Sequence, residues 1–503
     1  MKWMQFATTV AILTFYSGIA PAEPREAPTA VTATAWTDLQ PQLQAAMQAF
    51  IDKQERYPGQ DKTIVVRVSY DAPSKIVIVD LGRGFIPKGM TKWRESFSDT
   101  YNRVSQYGHD LVDGIIDIST VSLRFDGSSI NELFPLDFPV QSDRSDTSTL
   151  PTPPPVALNP GSGYYFNHGS NQWVTQQSPT NGILEDDYTA NFSSNLQNQI
   201  LSKNTAVKGI KQTRNLSDLF IDPQSNVAGW RLATRYYMQK LYPDNGPTLW
   251  NIFPNGTDDT TRIDLREQDE DLASRPLYAN LLSATHLISI HTNSGEPGKT
   301  GTEVIVQSGS PFAQKLGNSV LCYLREQIHS VPGYENFKIA HSVTELDKIE
   351  NRYATMPAII IKLGYHTNAQ DAAALNDQNF AKAALRGVEK GLRFRSVDCS
   401  PFTLVSIEQP TSGRSQNVYP KLTYSGDFDT WLHIDTTFIS CPVGTCKSKH
   451  FQFARSPADK TVELEFSCPS GIKQPTTFVA KTKIYDAFNV QGGELQHKYI
   501  CTP

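Results

Sequence analysis

The sequence predicts an α/β protein with a central, mostly parallel sheet flanked by helices. A small α/β domain precedes it, and a disulfide-bonded β domain follows it. Helical and apolar-strand patterns alternate from residue 156 to 395, which is typical of a parallel sheet with helices on its faces. From residue 398 onward, apolar and polar residues alternate with a period of two, as in half-buried strands. Five of the six cysteines lie in this last part of the chain.

Length and charge narrow the classes of function. A chain of 503 residues can form several domains, each with its own core. Its formal net charge is -5, and this mild acidity argues against a protein that neutralises the phosphates of a nucleic acid. We therefore expect no nucleic-acid partner.

The first 22 residues predict a signal peptide. Lys2 precedes an apolar run from Phe6 to Ile19, and Ala20-Pro21-Ala22 fits a small-x-small cleavage site. The alternative is an N-terminal membrane anchor, but the run is short and interrupted, which favours cleavage. No later segment is apolar for long enough to cross a bilayer, so we expect an exported protein with no transmembrane segment after cleavage.

Residues 37–139 predict the small α/β domain, and the polar, then proline-rich residues 140–155 predict a linker. His109 has no metal-ligand type of residue beside it, so we expect it to be structural. The helical and strand-like patterns of this domain are TDLQPQLQAAMQAFIDKQ, TIVVRVSY, KIVIVDLG, KWRESFSDTYNRVSQY and GIIDISTVSLRFDG.

In the central domain, 156–395, two amphipathic helices and two apolar strands dominate the pattern. The strands are ATHLISIHTN and PAIIIKLGYHTN. The residues that share a face at helical spacing are Tyr188, Phe192, Leu196 and Ile200 in the first helix, and Trp230, Ala233, Tyr237 and Leu241 in the second.

Residues 398–503 predict an antiparallel, sandwich-like β domain stapled by disulfides. Six cysteines allow 15 connectivities, and the sequence does not select one. Cys441–Cys446 and Cys468–Cys501 are plausible pairs. They leave Cys322 to join Cys399 across a domain boundary.

Polar residues just beyond the apolar strands are the candidates for a site, because ligands bind outside the carboxyl ends of parallel strands. Such residues occur in LNPGSGYY, SIHTNSG and IKLGYHTN. His291 ends its strand as a ligand candidate, although a core histidine bonded to a backbone carbonyl fits the same pattern. Glu185 lies on a buried helical stripe and Lys362 ends a buried strand, so each requires a partner.

These blocks resemble the zinc-dependent N-acetylmuramoyl-L-alanine amidases, the amidase type 3 family. The resemblance covers about residues 156–395 and depends on the order and spacing of the blocks. They are NPGSGYY, WVTQQSPTNGILED, GWRLATRYYMQKL, RPLYANLLSATHLISIHTNSG, GTEVIV and PAIIIKLGYHTN.

The resemblance implies a zinc site and a general base, and this chain departs from both. Glu185 and His291 match two of the family's zinc ligands. Ser162 occupies the position of the family's histidine ligand, and Lys362 occupies the position of its general-base glutamate. A serine hydroxyl is a poor substitute for imidazole, and an ammonium neither accepts a proton from water nor tolerates a nearby divalent cation.

Two nearby histidines, His168 and His366, are candidates to restore a third ligand, although exposed loop histidines would show the same pattern. Our preferred hypothesis is that the site holds no cofactor and that the Lys362 ammonium replaces the metal by pairing with Glu185. If the site still functions, its cofactor is zinc.

Two functions follow from the resemblance. The first is an exported, peptidoglycan-associated protein of the bacterial periplasm or cell surface, catalytically impaired and acting in cell-wall binding or regulation. Its partners would be peptidoglycan or its fragments, and envelope proteins. The alternative is an active zinc amidase that hydrolyses the N-acetylmuramoyl–L-alanine bond. A surface or secretion-associated structural role would have only the C-terminal β region in its favour.

Overall fold

The computed structural model describes residues 33–143, 154–203, 207, 209–253, 260–296, 298–454 and 459–503. The predicted signal peptide, and residues 144–153 of the predicted linker, lie outside the described residues. Among the described residues, no helix has both the length and the apolar character needed to cross a bilayer.

The N-terminal part is a three-stranded sheet packed against helices. Strands β1 and β2 are antiparallel, and β3 lies parallel to β2. Apolar side chains of the sheet and of the first two helices form one core. The elements are α1 (Ala33–Lys53), β1 (Arg67–Asp71), β2 (Ile76–Asp80), α2 (Glu95–Asp110), β3 (Thr120–Arg124) and α3 (Ile130–Leu133).

The central part is an α/β unit whose elements alternate as the sequence predicts. They are β4 (Val156–Pro160), β5 (Tyr165–Asn167), β6 (Gln172–Val174), α4 (Glu185–Lys203), β7 (Ile210–Gln212), α5 (Thr234–Leu241), α6 (Arg266–Leu281), β8 (His286–Asn293), β9 (Glu303–Val306), α7 (Pro311–His329), β10 (Thr344–Glu345), α8 (Ile349–Arg352), β11 (Ala358–Tyr365), α9 (Ala369–Asn376) and α10 (Gln378–Arg393).

Six of these strands form one sheet in the order β10-β9-β11-β8-β4-β7, and β5 pairs with β6 in a separate two-stranded sheet. The neighbours β11, β8, β4 and β7 are parallel, whereas β9 runs antiparallel to β11. The sheet is therefore mostly parallel, as predicted. The isoleucines of β11 are buried because helices cover both faces of the sheet. Since β4, β8 and β11 are adjacent and parallel, their carboxyl ends meet at one edge of the sheet.

The predicted stripe on α4 is confirmed, but the predicted stripe on the second helix is wrong. Helix α5 begins at Thr234, so Trp230 and Ala233 precede it, and Leu241 is 45% exposed. The buried residues of α5 are Thr234, Arg235 and Met238. Burial of a charged residue here is compensated by ion pairs, because the Arg235 guanidinium binds two glutamates of α6 at 2.9 Å.

The C-terminal part is all β, with a three-stranded sheet (β12-β15-β18) and a five-stranded sheet (β13-β21-β20-β16-β17) around one apolar core. Its strands are β12 (Thr403–Ile407), β13 (Thr411–Gly413), β14 (Asn417–Val418), β15 (Lys421–Ser425), β16 (Leu432–Ser440), β17 (Lys449–Phe453), β18 (Thr461–Glu463), β19 (Phe466–Ser467), β20 (Thr476–Asp486) and β21 (Gln491–Thr502).

The disulfides agree with the sequence interpretation. Cys441–Cys446 and Cys468–Cys501 form inside the β part, and Cys322 of α7 joins Cys399. The last bridge ties the central unit to the segment that leads into the β part. Disulfides persist in oxidising compartments, so these bridges indicate an extracytoplasmic protein.

The N-terminal part covers the β10 edge of the central sheet. Thr120 of β3 donates to the Val343 carbonyl at 2.9 Å. His109 of α2 lies 3.0 Å from the Ser342 hydroxyl, so it has the structural role expected for it. Covering this edge protects unpaired strand groups from solvent and from other chains.

Candidate functional site

The loop after β4 forms the floor of the candidate site. The backbone N–H of Gly161 donates to the Ile290 carbonyl at 2.9 Å, which holds the loop against β8. A Cβ at position 161 would lie 2.3 Å from Cε1 of His291, so only glycine fits there. Ser162 is buried with a φ of 65°, a left-handed conformation that non-glycine residues adopt sparingly.

Glu185 begins α4 and points at the end of β8. Its Oε1 lies 2.9 Å from Nδ1 of His291 and accepts from the Thr292 backbone N–H at 3.2 Å. This buried carboxylate therefore has the partner that its burial requires, and that partner is His291. Burial alone would raise the pKa of Glu185, but the His291 hydrogen bond and the charge of Lys362 hold the pKa below its ordinary value.

His291 lies between two carboxylates. Its Nδ1 faces Glu185, and its Nε2 lies 3.1 Å from Glu350. Its side chain is 12% exposed. Burial lowers the pKa of the imidazole, and Glu185 opposes that effect. The alternative in which His291 bonds only to a backbone carbonyl does not describe this arrangement.

Glu350 and Arg275 belong to the same cluster, and the sequence analysis missed both. Glu350 lies on the four-residue helix α8 and accepts from the Asn159 amide at 3.0 Å. The fully buried Arg275 of α6 pairs with Glu350, and its guanidinium also binds Asp271 at 2.6 Å. A single buried helical turn has no hydrophobic period, so nothing in the local pattern marks Glu350.

Lys362 does not pair with Glu185, so that part of the preferred hypothesis is wrong. Its Nζ donates to Oδ1 of Asn293 at 2.9 Å, and the Asn293 amide donates to Glu303. Lys362 of β11 is in register with His291 of β8. Its ammonium, however, reaches Asn293, which lies two positions beyond His291 in β8. The cation in direct contact with a cluster carboxylate is Arg275.

The two candidate compensating histidines occupy different places. His168 is about one-third exposed, and its Nε2 lies 3.3 Å from Glu267, so its described contacts are outside the cluster. His366 is buried, which corrects its interpretation as an exposed loop histidine, and its Nδ1 lies 2.8 Å from the Thr292 hydroxyl. Burial lowers the pKa of His366. It is next to the cluster but bonds to a hydroxyl.

The donor set does not complete a catalytic zinc site, which takes three protein ligands and a water. Glu185 and His291 are together, but the resemblance implies a serine, Ser162, at the position of the third ligand. No group of three or more His, Cys, Asp or Glu side chains in the described ranges is arranged to hold a metal ion. The buried guanidinium of Arg275 and the nearby ammonium of Lys362 add positive charge that disfavours a divalent cation.

The cluster therefore consists of the carboxylates of Glu185 and Glu350 with the His291 imidazole between them. The Arg275 guanidinium pairs with Glu350, and the Lys362 ammonium lies nearby. The cluster lies at the carboxyl ends of β4, β8 and β11. This arrangement defines the class of the protein as an α/β domain with a polar, charged centre at the carboxyl ends of its parallel strands.

Comparison with known proteins finds one family that matches part of the central unit. Residues 254–393 match the family model described as N-acetylmuramoyl-L-alanine amidase. Over these residues the chain is similar to the N-acetylmuramoyl-L-alanine amidase family, which confirms the resemblance stated from the sequence.

A curated relative, YqiI of Bacillus subtilis (strain 168), is described as uncharacterised. It is 26% identical over 123 residues, which are 24% of this chain and 56% of the relative. The chain thus spans little more than half of the length of that relative.

Solved structures of amidases align with about half of the chain. The catalytic domain of CwlV from Bacillus (Paenibacillus) polymyxa is 16% identical, with a TM-score of 0.28, over 47% of this chain and 94% of that one. Apo Ami1 from Mycobacterium abscessus is 16% identical, with a TM-score of 0.30, over 48% and 98%. CwlD from Clostridioides difficile, solved with the GerS lipoprotein, is 13% identical, with a TM-score of 0.30, over 49% and 100%.

Proposed function

We propose that this protein is exported and peptidoglycan-associated, and that its amidase-like domain binds or regulates the cell wall without hydrolysing it. The family match supports a peptidoglycan-related role, and the disulfides support a place outside the cytoplasm. Its partners would be peptidoglycan or its fragments, and envelope proteins of a bacterial periplasm or cell surface.

The observation that carries the proposal is the state of the general-base position. Lys362 stands there, and its ammonium donates a hydrogen bond to Asn293. A general base must accept a proton from the attacking water, and a donating ammonium has no free electron pair for that proton. A hydrogen-bonded ammonium at the mouth of the sheet can instead bind a carboxylate, such as those of wall peptides.

The residue at the position of the family's histidine ligand, Ser162, also argues against hydrolysis. Ser162 cannot supply the imidazole that the family pattern requires, and Arg275 neutralises Glu350 from behind the cluster. Removing a metal from a buried site normally leaves an unpaired carboxylate, which is costly. Here His291 and the Thr292 N–H satisfy Glu185, so this carboxylate has partners without a metal ion.

A specific observation keeps the alternative, an active zinc amidase, open to test. Glu185 and His291, which match two of the family's zinc ligands, are already in contact, with 2.9 Å between Oε1 and Nδ1. This hydrogen-bond distance would have to lengthen to about 3.4 Å for the two atoms to share one tetrahedral zinc ion. A third ligand would have to come from His366, which lies beside Thr292, or from the substrate.

The test uses the mature, full-length protein and purified peptidoglycan. We expect co-sedimentation with the insoluble wall and no release of peptides. The matched variant is Glu185→Gln, which removes a retained ligand and leaves the surface unchanged. Release of peptides by the wild type, together with a zinc equivalent that Glu185→Gln loses, would establish the active amidase instead.

A reversal experiment tests the assignment of the two altered positions. In Ser162→His with Lys362→Glu, the family's ligand and base are restored. Histidine tolerates the left-handed backbone at position 162 better than most residues do. We expect this double variant to gain one zinc equivalent relative to wild type. Absence of that gain would mean that the change at these two positions does not account for the altered centre.

A further inference from the structure

A second cluster of histidines lies on the C-terminal β part, far along the chain from the amidase-like centre. His433 and Asp435 alternate on β16, so both project from the same face of the five-stranded sheet. His450 of β17 is the register partner of Asp435, and Tyr485 of β20 is the register partner of His433. Three adjacent strands therefore bring these side chains together.

The two imidazoles face each other through nitrogen atoms. Nδ1 of His433 lies 3.5 Å from Nε2 of His450. Two nitrogens that each lie about 2.1 Å from one tetrahedral zinc ion are about 3.4 Å apart. The observed separation therefore matches two ligands of a single metal ion, with only a small adjustment of the rings.

The orientation of His450 is fixed by a carboxylate. Its Nδ1 donates to Oδ1 of Asp435 at 2.8 Å, which leaves a lone pair on the nitrogen that faces His433. Metal-bound histidines commonly donate their other N–H to a carboxylate in this way, which orients the ring and raises its basicity. The other Asp435 oxygen lies 3.7 Å from the Lys483 ammonium, so this carboxylate also balances the charge of Lys483.

His433 is held from the other side by an aromatic ring. Its imidazole stacks on Tyr485 with ring centroids 5.1 Å apart and an interplanar angle of 11°. The ring plane is therefore set by packing, which reduces the conformational entropy lost when the nitrogen binds a ligand. The His450 side chain is half exposed, so an ion can reach the pair from solvent.

The geometry points to a binding site for one divalent transition-metal ion of the Zn²⁺, Ni²⁺ or Cu²⁺ type, held by His433 and His450 and oriented by Asp435. Imidazole nitrogens select these ions over Ca²⁺ and Mg²⁺, which prefer oxygen. Water, or a donor from another molecule, completes the coordination shell. The site is independent of the amidase-like centre and of the function proposed for it.

The experiment is a calorimetric titration of the full mature chain, without a histidine tag, with Zn²⁺ and separately with Mg²⁺. We expect one saturable Zn²⁺ equivalent and no Mg²⁺ binding. His433→Ala and His450→Ala should each abolish that equivalent. Asp435→Asn should keep the stoichiometry and weaken the affinity by about 10- to 100-fold, as expected for a residue that positions a ligand.

Two matched variants separate this site from others. His168→Ala removes a partly exposed histidine elsewhere, and His291→Ala dismantles the amidase-like cluster; both should retain the equivalent. With Cu²⁺, the electron paramagnetic resonance spectrum should show two coordinated nitrogens in wild type and fewer in His433→Ala. The proposal is overturned if wild type takes up no Zn²⁺, or if the uptake survives both His433→Ala and His450→Ala.

Discussion

At the scale of single residues, the candidate site depends on a glycine as much as on its charged groups. The His291 ring occupies the space where any side chain at position 161 would project. This contact places His291 between Glu185 and Glu350, and so determines which hydrogen bonds the ring makes. The same loop brings Ser162 to the floor of the site in a strained backbone conformation.

Replacing Gly161 by alanine should therefore destabilise the central unit. The added methyl group would overlap the imidazole, and overpacking of this kind typically costs about 1–3 kcal/mol. Urea unfolding of the wild type and the variant measures the change. Gly298→Ala is the matched control, because no described atom lies within 4 Å of the point where its Cβ would stand, and its cost should stay within about 0.5 kcal/mol. Equal effects of the two substitutions would contradict this account.

A second prediction at this scale concerns pH. Burial, with a smaller effect of the Arg395 charge, lowers the pKa of His286 to about 3. The unfolded chain binds a proton near the ordinary value of about 6.5, whereas the folded chain does not. The contribution of the neutral His286 to the free energy of unfolding is therefore complete above about pH 6.5. It is lost progressively as the pH falls toward about 3.

Between pH 6.5 and 4.5, protonation of His286 in the unfolded chain should lower the free energy of unfolding by about 2 to 3 kcal/mol. His286→Phe replaces the ring with one that does not titrate. Unfolding free energies measured at several pH values should fall less steeply in the variant than in wild type. Parallel pH profiles would show that His286 does not contribute the expected linkage.

At the scale of elements, the packing of α7 against α10 depends on two glycines in α10. A Cβ at Gly391 would lie 2.5 Å from Cα of Val320, and one at Gly387 would lie 2.7 Å from Cα of Leu324. The two helices thus approach each other by their backbones. Because α10 also contacts α4, this close packing helps to position the helix that carries Glu185.

Gly391→Ala should destabilise the protein even though alanine is the better helix former by about 1 kcal/mol. The obstacle is a backbone atom, which cannot move aside as a side chain can, so we expect a net loss of about 1–2 kcal/mol. Gly108→Ala in α2 is the matched control. There the nearest atom is a side-chain methyl at 3.4 Å, so the propensity gain should be retained and stability should rise. Chemical denaturation gives both values, and stabilisation by Gly391→Ala would refute the close-packing argument.

At the scale of the whole molecule, a buried ionic network joins the N-terminal part to the central unit. Asp347 accepts from the Trp93 indole at 2.6 Å and pairs with Arg352 at 2.5 Å. Arg352 also pairs with Glu95 of α2. Because these groups are buried, each depends on the others for compensation of its charge, and the two parts of the chain should unfold cooperatively.

Asp347→Ala should uncouple the two parts. It leaves Arg352 with one partner fewer and removes the nearer of the two acceptors of the Trp93 N–H, and breaking a buried pair typically costs about 3–5 kcal/mol. We expect an earlier unfolding step in urea and faster proteolysis of the N-terminal part. Asp117→Asn provides the control, since the Lys75–Asp117 pair is about half exposed and should contribute less than about 1 kcal/mol. A single transition at the wild-type midpoint would contradict the coupling.

How much of this molecule follows from its sequence depends on whether the signal is local or distant. The alternation of helices and strands and the stripe of α4 were predicted, because periodicity is a property of short stretches. The disulfide pairs were only named as plausible, because six cysteines allow 15 connectivities and the sequence does not select one. The boundaries of α5 were not predicted, because buried ion pairs of Arg235 with α6 override its apolar pattern.

For the site, the sequence by itself determined the family resemblance. That resemblance implied that Glu185 and His291 lie together, and it predicted Ser162 and Lys362 as altered positions. Only the tertiary structure decided which charges meet. It placed Glu350 and Arg275 in the cluster, and it showed that the Lys362 ammonium donates a hydrogen bond to Asn293. The reason is physical: a strand pattern determines the side of the sheet on which a residue lies, whereas its partner depends on which distant segments pack over that side.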